Sequence, residues 1–164
     1  MAFDTFLKVE GVDGESTRAG FEKWIEIYSF SWGASNPITI GTGTTGVSAG
    51  KVSISSFNIM KKTDAASPVL FQHCCAGKHF PTAHVTLNKS TGDEKKPLDY
   101  LTYEFTEVFV ESIQWSGSAG GDDTPTESVS FAFGGVKINY TPQAATGAPG
   151  TPIRGSWSLV KATA

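Results

Sequence analysis

The run LDYLTYEFTEVFVESIQWS, Leu98–Ser116, alternates apolar and polar residues almost throughout, the pattern of an extended strand with one buried face. It far exceeds an average strand of about 5 to 6 residues. Its apolar phase also changes on the way: Leu101, Tyr103 and Phe105 are odd, whereas Val108 and Val110 are even. A bulge or bend near Thr106–Glu107 would rotate the buried face without ending the sheet. Such a strand has to serve a curved sheet, as strands of barrels do.

The same period recurs in Phe3–Glu10, Phe21–Trp32, Lys51–Lys61, Thr82–Lys89, Ser128–Tyr140 and Ile153–Lys161. Turn-forming residues separate these segments, among them Gly11, Asp13 and Gly14 after the first and Gly33 with Asn36-Pro37 after the second. The 18 Gly and 8 Pro fit this reading better than a helical bundle. One segment, TDAASPVLFQHCCAGKHF, breaks the rhythm. Asp64 or Ser67 can cap a helix there, Pro68 suits its first turn, Leu70, Phe71 and Cys74 share a face, and Gly77 supplies a left-handed C-cap. The expected fold is therefore mainly β: a closed or nearly closed β-barrel of two antiparallel sheets with one short α-helix packed outside, in a single domain over residues 1–164.

The helical segment runs into QHCCAGKHFPTAHV, which holds all three His and both Cys: His73, Cys74, Cys75, His79 and His84. Adjacent helical residues point about 100° apart, so Cys74 and Cys75 cannot share one binding face. His79 and His84 have the spacing of a zinc histidine pair, but C-C does not match the cysteine half of such sites. A thiol nucleophile with His79 as base lacks an evident orienting group. The favoured reading is a helix end that buries Cys74 beside Leu70 and Phe71, with two reduced thiols and with Lys78 and His79 near the helix carboxyl terminus.

Nothing else points to catalysis: there is no G-x-S-x-G, no H-E-x-x-H and no paired carboxylates in an evident pocket. No cofactor or metal is expected. The formal net charge of -3 gives no electrostatic case for nucleic acid. No run approaches the roughly 18 apolar residues of a membrane helix, and MAFDTFLKVEG reads as a strand rather than a signal peptide. Cytoplasmic synthesis is the expectation. The segments 41–50, 116–123 and 142–151 read as exposed loops rich in small residues, Thr91–Pro97 as a turn with solvated charges, and Asp122-Asp123 as solvated charge. Gly50-Lys51 is followed by Val52, so the first loop is no phosphate loop.

The helix end GKHFP, Gly77–Pro81, resembles a signature of the hemolysin-coregulated proteins, Hcp, of the bacterial type VI secretion system. FLKVEGVDGES (6–16), FSWG (30–33), GTGTTGVSAGKVSI (41–54), TESVSFAF (126–133), YTPQ (140–143) and GSWSL (155–159) agree in order across nearly the whole chain. The resemblance implies a β-barrel with an attached helix, and a structural and carrier role rather than an enzyme. It implies homohexameric rings stacked into an inner tube, which a contracting sheath propels together with a spike of the valine-glycine repeat family. It also implies small effector proteins held in the lumen, and export through the machine itself. Trp32, Gly33, Gly77, Lys78, His79 and Pro81 are then structural residues of the family motifs. Carried over by motif, Ser29 and Ser31 are candidates for the lumen wall, with ordinary exposed strand positions as the equal alternative. Gly41, Thr42, Gly43, Thr44, Thr45, Gly46, Val47, Ser48, Ala49 and Gly50 are candidates for a loop reaching the neighbouring ring. Shortening that loop should spare hexamers and weaken stacking. The competing class is a monomeric β-barrel module binding glycans or peptides, since four Trp and four Tyr could form an aromatic platform. Cargo identity and target cell are not legible in the residues.

Overall fold

The computed structural model describes residues 3–41, 46–89, 97–121 and 123–164. In chain order the strands are β1 (Asp4–Val9), β2 (Ile25–Ile27), β3 (Ser29–Ser31), β4 (Ala34–Ser35), β5 (Ile38–Ile40), β6 (Val47–Ala49), β7 (Ser53–Ile54) and β8 (Phe57–Lys62). Helix α1 (Ser67–Ala76) follows, then β9 (His79–Lys89), β10 (Leu98–Ser116), β11 (Thr126–Ala132), β12 (Gly135–Tyr140) and β13 (Ile153–Ser158). Antiparallel pairing joins nine strands in the order β2-β1-β9-β10-β11-β8-β3, with β12 bridging β10 to β13. The class is the expected one. Alternate residues of these strands form a common core, including Leu7, Ile25, Phe57, Val85, Phe105 and Val129.

Strand β10 organises the sheet because it changes neighbours along its length. Leu101–Thr106 pair with β12, and Phe109–Ser116 pair with β11. Between the two halves, Glu107 takes φ 52°, and the Gly134 N–H donates to the carbonyls of Thr106 and Glu107 at 2.8 and 3.2 Å. The buried side therefore passes from Phe105 to Val108, the phase change written in the sequence. A Cβ on Gly134 would lie 3.2 Å from the Glu107 Cβ and 2.6 Å from its Oε2, so a larger residue at this bend would have to displace the Glu107 side chain. The expected single strand Ser128–Tyr140 is accordingly two, divided at Phe133-Gly134. Pro81, which has no N–H to offer a ladder, falls opposite Glu107, where the β9–β10 pairing skips a step.

Of the two forms expected, closed or nearly closed, the sheet does not take the fully closed one. Phe21–Trp32 is not one strand: Ile25 and Ile27 are buried, Tyr28 and Ser29 are both exposed, and Phe30 and Trp32 then turn inward. Two successive outward residues break the alternation, so β2 pairs with β1 while β3 pairs with β8. These are the two ends of the sheet path, held near each other by chain continuity and by the Tyr28 N–H donating to the Met60 carbonyl at 2.8 Å. Lys51–Lys61 likewise divides into β7 and β8.

Neither expected residue caps α1, whose N-cap is Ala66 with no side-chain cap; Asp64 and Ser67 instead hold the turn that leads into it. The Ala66 N–H donates to Asp64 Oδ1 and the Asp64 N–H to Ser67 Oγ, each at 3.0 Å. Pro68 stands in the first turn, and Gly77 closes the helix at φ 64° with its N–H directed to the His73 carbonyl. Leu70 is fully buried and Cys74 half-buried. Phe71 is not the core residue expected of it: a 100° rotation from Leu70 carries its ring to the rim of the sheet, where it meets Trp115.

Candidate functional site

Strands β3, β8, β11 and the second half of β10 lie side by side. Their register aligns Ser31, Asn58, Ser130 and Ser112 in one row, and Ser29, Met60, Ser128 and Gln114 in the next. Between these rows, Phe30, Ile59, Val129 and Ile113 point the other way, into the core. One sheet face thus presents short hydroxyl and amide side chains with a single methionine, and none of the eight is charged. The Ser130 hydroxyl donates to Asn58 Oδ1 at 2.5 Å, and Asn58 Nδ2 donates to the Ser56 carbonyl at 3.2 Å. Such a face offers many weak, exchangeable hydrogen bonds and no fixed charge to select one partner. No serine of the two rows hydrogen-bonds to a histidine among the described residues, so the face has no evident activated nucleophile.

Ser29 and Ser31 both lie in this face, the exposed edge of which they form. Sequence reasoning missed Asn58, Met60, Ser112, Gln114, Ser128 and Ser130. The alternation in FNIM, TESVSFA and SIQ marks each as outward, but only the register places them beside Ser31.

A second feature grows from the same strands. The β3/β8 pair continues past Ser31 and Asn58 as β4/β7 and then β5/β6, its register slipping by one residue at each break. Gly33 joins the first break, accepting from the Ser55 N–H at 2.9 Å and donating its own N–H to Ser55 Oγ at 2.8 Å. At the second, the Gly50 N–H donates to the Pro37 carbonyl at 2.7 Å. Val47, Ser48 and Ala49, read from sequence as loop, are the strand that pairs with Ile38–Ile40. Gly41 and Gly46 flank the tip, and Thr42, Gly43, Thr44 and Thr45 lie outside the described residues. Ile38, Ile40, Val47 and Ala49 occupy one side of this ribbon, and Thr39 and Ser48 the other. Ile40 is 77% exposed and Val47 72%.

The histidines and cysteines do not converge. His73 stacks on Phe80 at 4.2 Å between ring centroids, with Nδ1 3.0 Å from the Val69 carbonyl, while His79 packs against Phe109. His84 stands 4.0 Å from Glu104 on β10, and no group of three or more His, Cys, Asp or Glu among the described residues could hold a metal ion. Both cysteines are free, Cys75 exposed. Lys78, exposed after the helix, has its N–H 3.2 Å from the His73 carbonyl. Trp32 is a packing residue, edge-on to Tyr103, Phe105 and Phe133. Burial beside it raises the Tyr103 phenol above its usual value, an effect the hydrogen bond with Trp32 opposes. A groove of about 780 Å³ over β10, β12 and β13 is lined by Thr102, Glu104, Lys137, Asn139, Arg154 and their neighbours with no aromatic ring. It is not the concave aromatic patch that a glycan-binding module needs.

Comparison with known proteins gives a consistent result. Residues 6–140 match the family model described as type VI secretion system effector, Hcp. The chain is 36% identical over 160 residues to protein hcp1 of Pseudomonas aeruginosa, covering 97% of this chain and 96% of that protein. A solved structure of a type six secretion system protein superposes with a TM-score of 0.91 at 39% identity, covering 99% of both chains. Hcp1 from Salmonella typhimurium follows at 0.76 and 30%, again over 99% of both chains.

Proposed function

Because the chain belongs to the Hcp family of type VI secretion proteins, we propose that it is a structural subunit of the inner tube, assembling as hexameric rings that stack and carry small effector proteins. The observation that carries this reading is the uncharged face built around Ser29, Ser31, Asn58, Ser112, Ser128 and Ser130. A carrier has to hold different cargoes weakly enough to release them, and short polar side chains without net charge suit that task. We assign this face to the lumen wall and the β5/β6 ribbon to the contact with the next ring. A closed ring also needs two different surfaces on each protomer, one meeting the other on its neighbour.

The remaining partners follow from the same reading: spike protein at one end, sheath around the outside, synthesis in the bacterial cytoplasm without a signal peptide, and export through the type VI machine. The role is mechanical and not enzymatic, with one domain over residues 1–164. Size-exclusion chromatography with light scattering, followed by imaging of the same peak, tests it. The expected result is the mass of a hexamer and ring-shaped particles; a strict monomer at every concentration, alone and with the spike protein, would overturn the assignment. Ser31→Gln should leave the rings intact and change effector binding, measured by co-purification.

A further inference from the structure

The two uncharged rows can hold a cargo weakly, but short hydroxyls and amides do not choose between cargoes. The register adds a third row at one end of the same face. Beyond Ser112 and Ser130, Phe109 of β10 stands opposite Ala132 of β11, and His79 of β9 stands opposite Phe109. Strand β11 alternates without a break, with Val129 and Phe131 buried, so Ala132 lies on the side of Ser130, and Phe109 and His79 lie there with it. Phe109 is 40% exposed, and the His79 imidazole packs on it at 5.6 Å between ring centroids. A ring already braced by a second ring loses little freedom when a partner covers it.

The bulge in β10 brings a charge to the same place. The pairing with β11 skips Glu111, between Val110 and Ser112, and a bulge re-aims the side chain of the residue it leaves unpaired. The Ser56 hydroxyl donates to Glu111 Oε2 at 2.5 Å. Ser56 precedes β8 by one residue, and β11 separates β8 from β10. The Glu111 carboxylate therefore reaches across β11 at the end of the face where Ala132 offers only a methyl group. The opposite end differs: Lys62, opposite Thr126, has its Nζ 5.8 Å from the centroid of the Tyr28 ring. The face thus runs from a cation beside one ring, over uncharged polar groups, to an anion beside another.

We propose that Phe109 and Glu111 are the selective anchor of the carrier face, taking a cargo segment that presents an aliphatic or aromatic side chain next to a Lys or Arg. The apolar side chain covers the Phe109 ring while the cation pairs with the Glu111 carboxylate. The proposal rests on the carrier reading and adds to it the class of segment retained. Phe109 is singled out among the exposed apolar groups of this face. Met60 is a flexible thioether that adapts to many shapes and selects little, and Tyr28 stands beside Lys62, which turns a basic segment away.

The test uses rings of the full chain and two fluorescein-labelled Gly-Ser peptides, one carrying Leu-Lys-Leu-Lys and the other Leu-Glu-Leu-Glu, read by fluorescence anisotropy at low salt. The Leu-Lys peptide is expected to bind about tenfold more tightly. Glu111→Lys should invert that preference, a reversal that loss of folding cannot produce. Glu22→Lys makes the same change of charge at another exposed carboxylate and should leave the preference as it is. Phe109→Ser should weaken the Leu-Lys peptide about tenfold. Intact rings that do not bind the Leu-Lys peptide saturably, a preference that Glu111→Lys does not invert, or one that Glu22→Lys inverts as well would overturn this inference alone. A chain that light scattering never shows as rings removes the carrier reading and this inference with it.

Discussion

At the scale of single residues, two positions carry constraints out of proportion to their size. A Cβ on Gly14 would lie 2.5 Å from the Trp24 carbonyl oxygen and 2.8 Å from the Ile25 Cα. Both are backbone atoms, so no side chain can swing aside. Gly14→Ala should lose about 2 to 3 kcal/mol of stability, read as a lower denaturant midpoint. Lys61 is the other: its Nζ sits 2.6 Å from Glu127 Oε2, and both residues are fully buried. Removing its charge with Lys61→Met leaves Glu127 buried without its counter-ion and should destabilise by about 3 to 5 kcal/mol. The double variant Lys61→Met with Glu127→Leu should recover a substantial part of that loss, because it removes the stranded charge as well. Equal losses in the single and double variants would show that the network stabilises through something other than its ion pair. Lys61 was not legible in the sequence: a lysine is almost never fully buried unless paired, and it is only in the fold that Asp64 and Ser67, in the turn before α1 and at its start, and Glu127 on β11 come within reach of its ammonium.

At the scale of elements, alternation identified the strands but not where they change partners. The odd-to-even shift in Leu98–Ser116 foretold the bend at Glu107, because two inward phases cannot coexist on a straight strand. Tyr28 gave no such warning. Its aromatic side chain continues the even-numbered series Trp24, Tyr28, Phe30 and Trp32, which alternation alone would keep on one face, yet Tyr28 is exposed while Phe30 and Trp32 pack against the core. The candidate face around Ser29 and Ser31 was half legible for a related reason: each serine or asparagine is visible as outward, but its neighbours belong to strands as much as 100 residues away. Phe133-Gly134 was obscured because its residues fit a strand well. The bend makes its own prediction. At position 107, glycine should be more stable than alanine by about 1 kcal/mol, the reverse of the usual order in strands, because φ 52° is strained only for the residue with a Cβ. Chemical denaturation of Glu107→Gly beside Glu107→Ala measures the difference.

At the scale of the whole molecule, the sheet packs a core on one side while its ribbon projects without one. The backbone amides of Ile38–Ile40 and Val47–Ala49 are therefore expected to exchange with deuterium far faster than those of Ile59–Lys61 in the separated chain. Their protection should rise on end-to-end association; mass spectrometry of the peptides gives both values. The ribbon's two roots have a further consequence. β8 is held along its whole length by β11, and β3 continues through Tyr28 into β2, which is held by β1. A pull on the tip along its axis therefore divides between two separate ladders. In each, the hydrogen bonds lie across the direction of force and are loaded in shear, sharing the load instead of peeling one after another. The tip acts as a tether spliced into the body of the protein at two points, and tension on it draws on both.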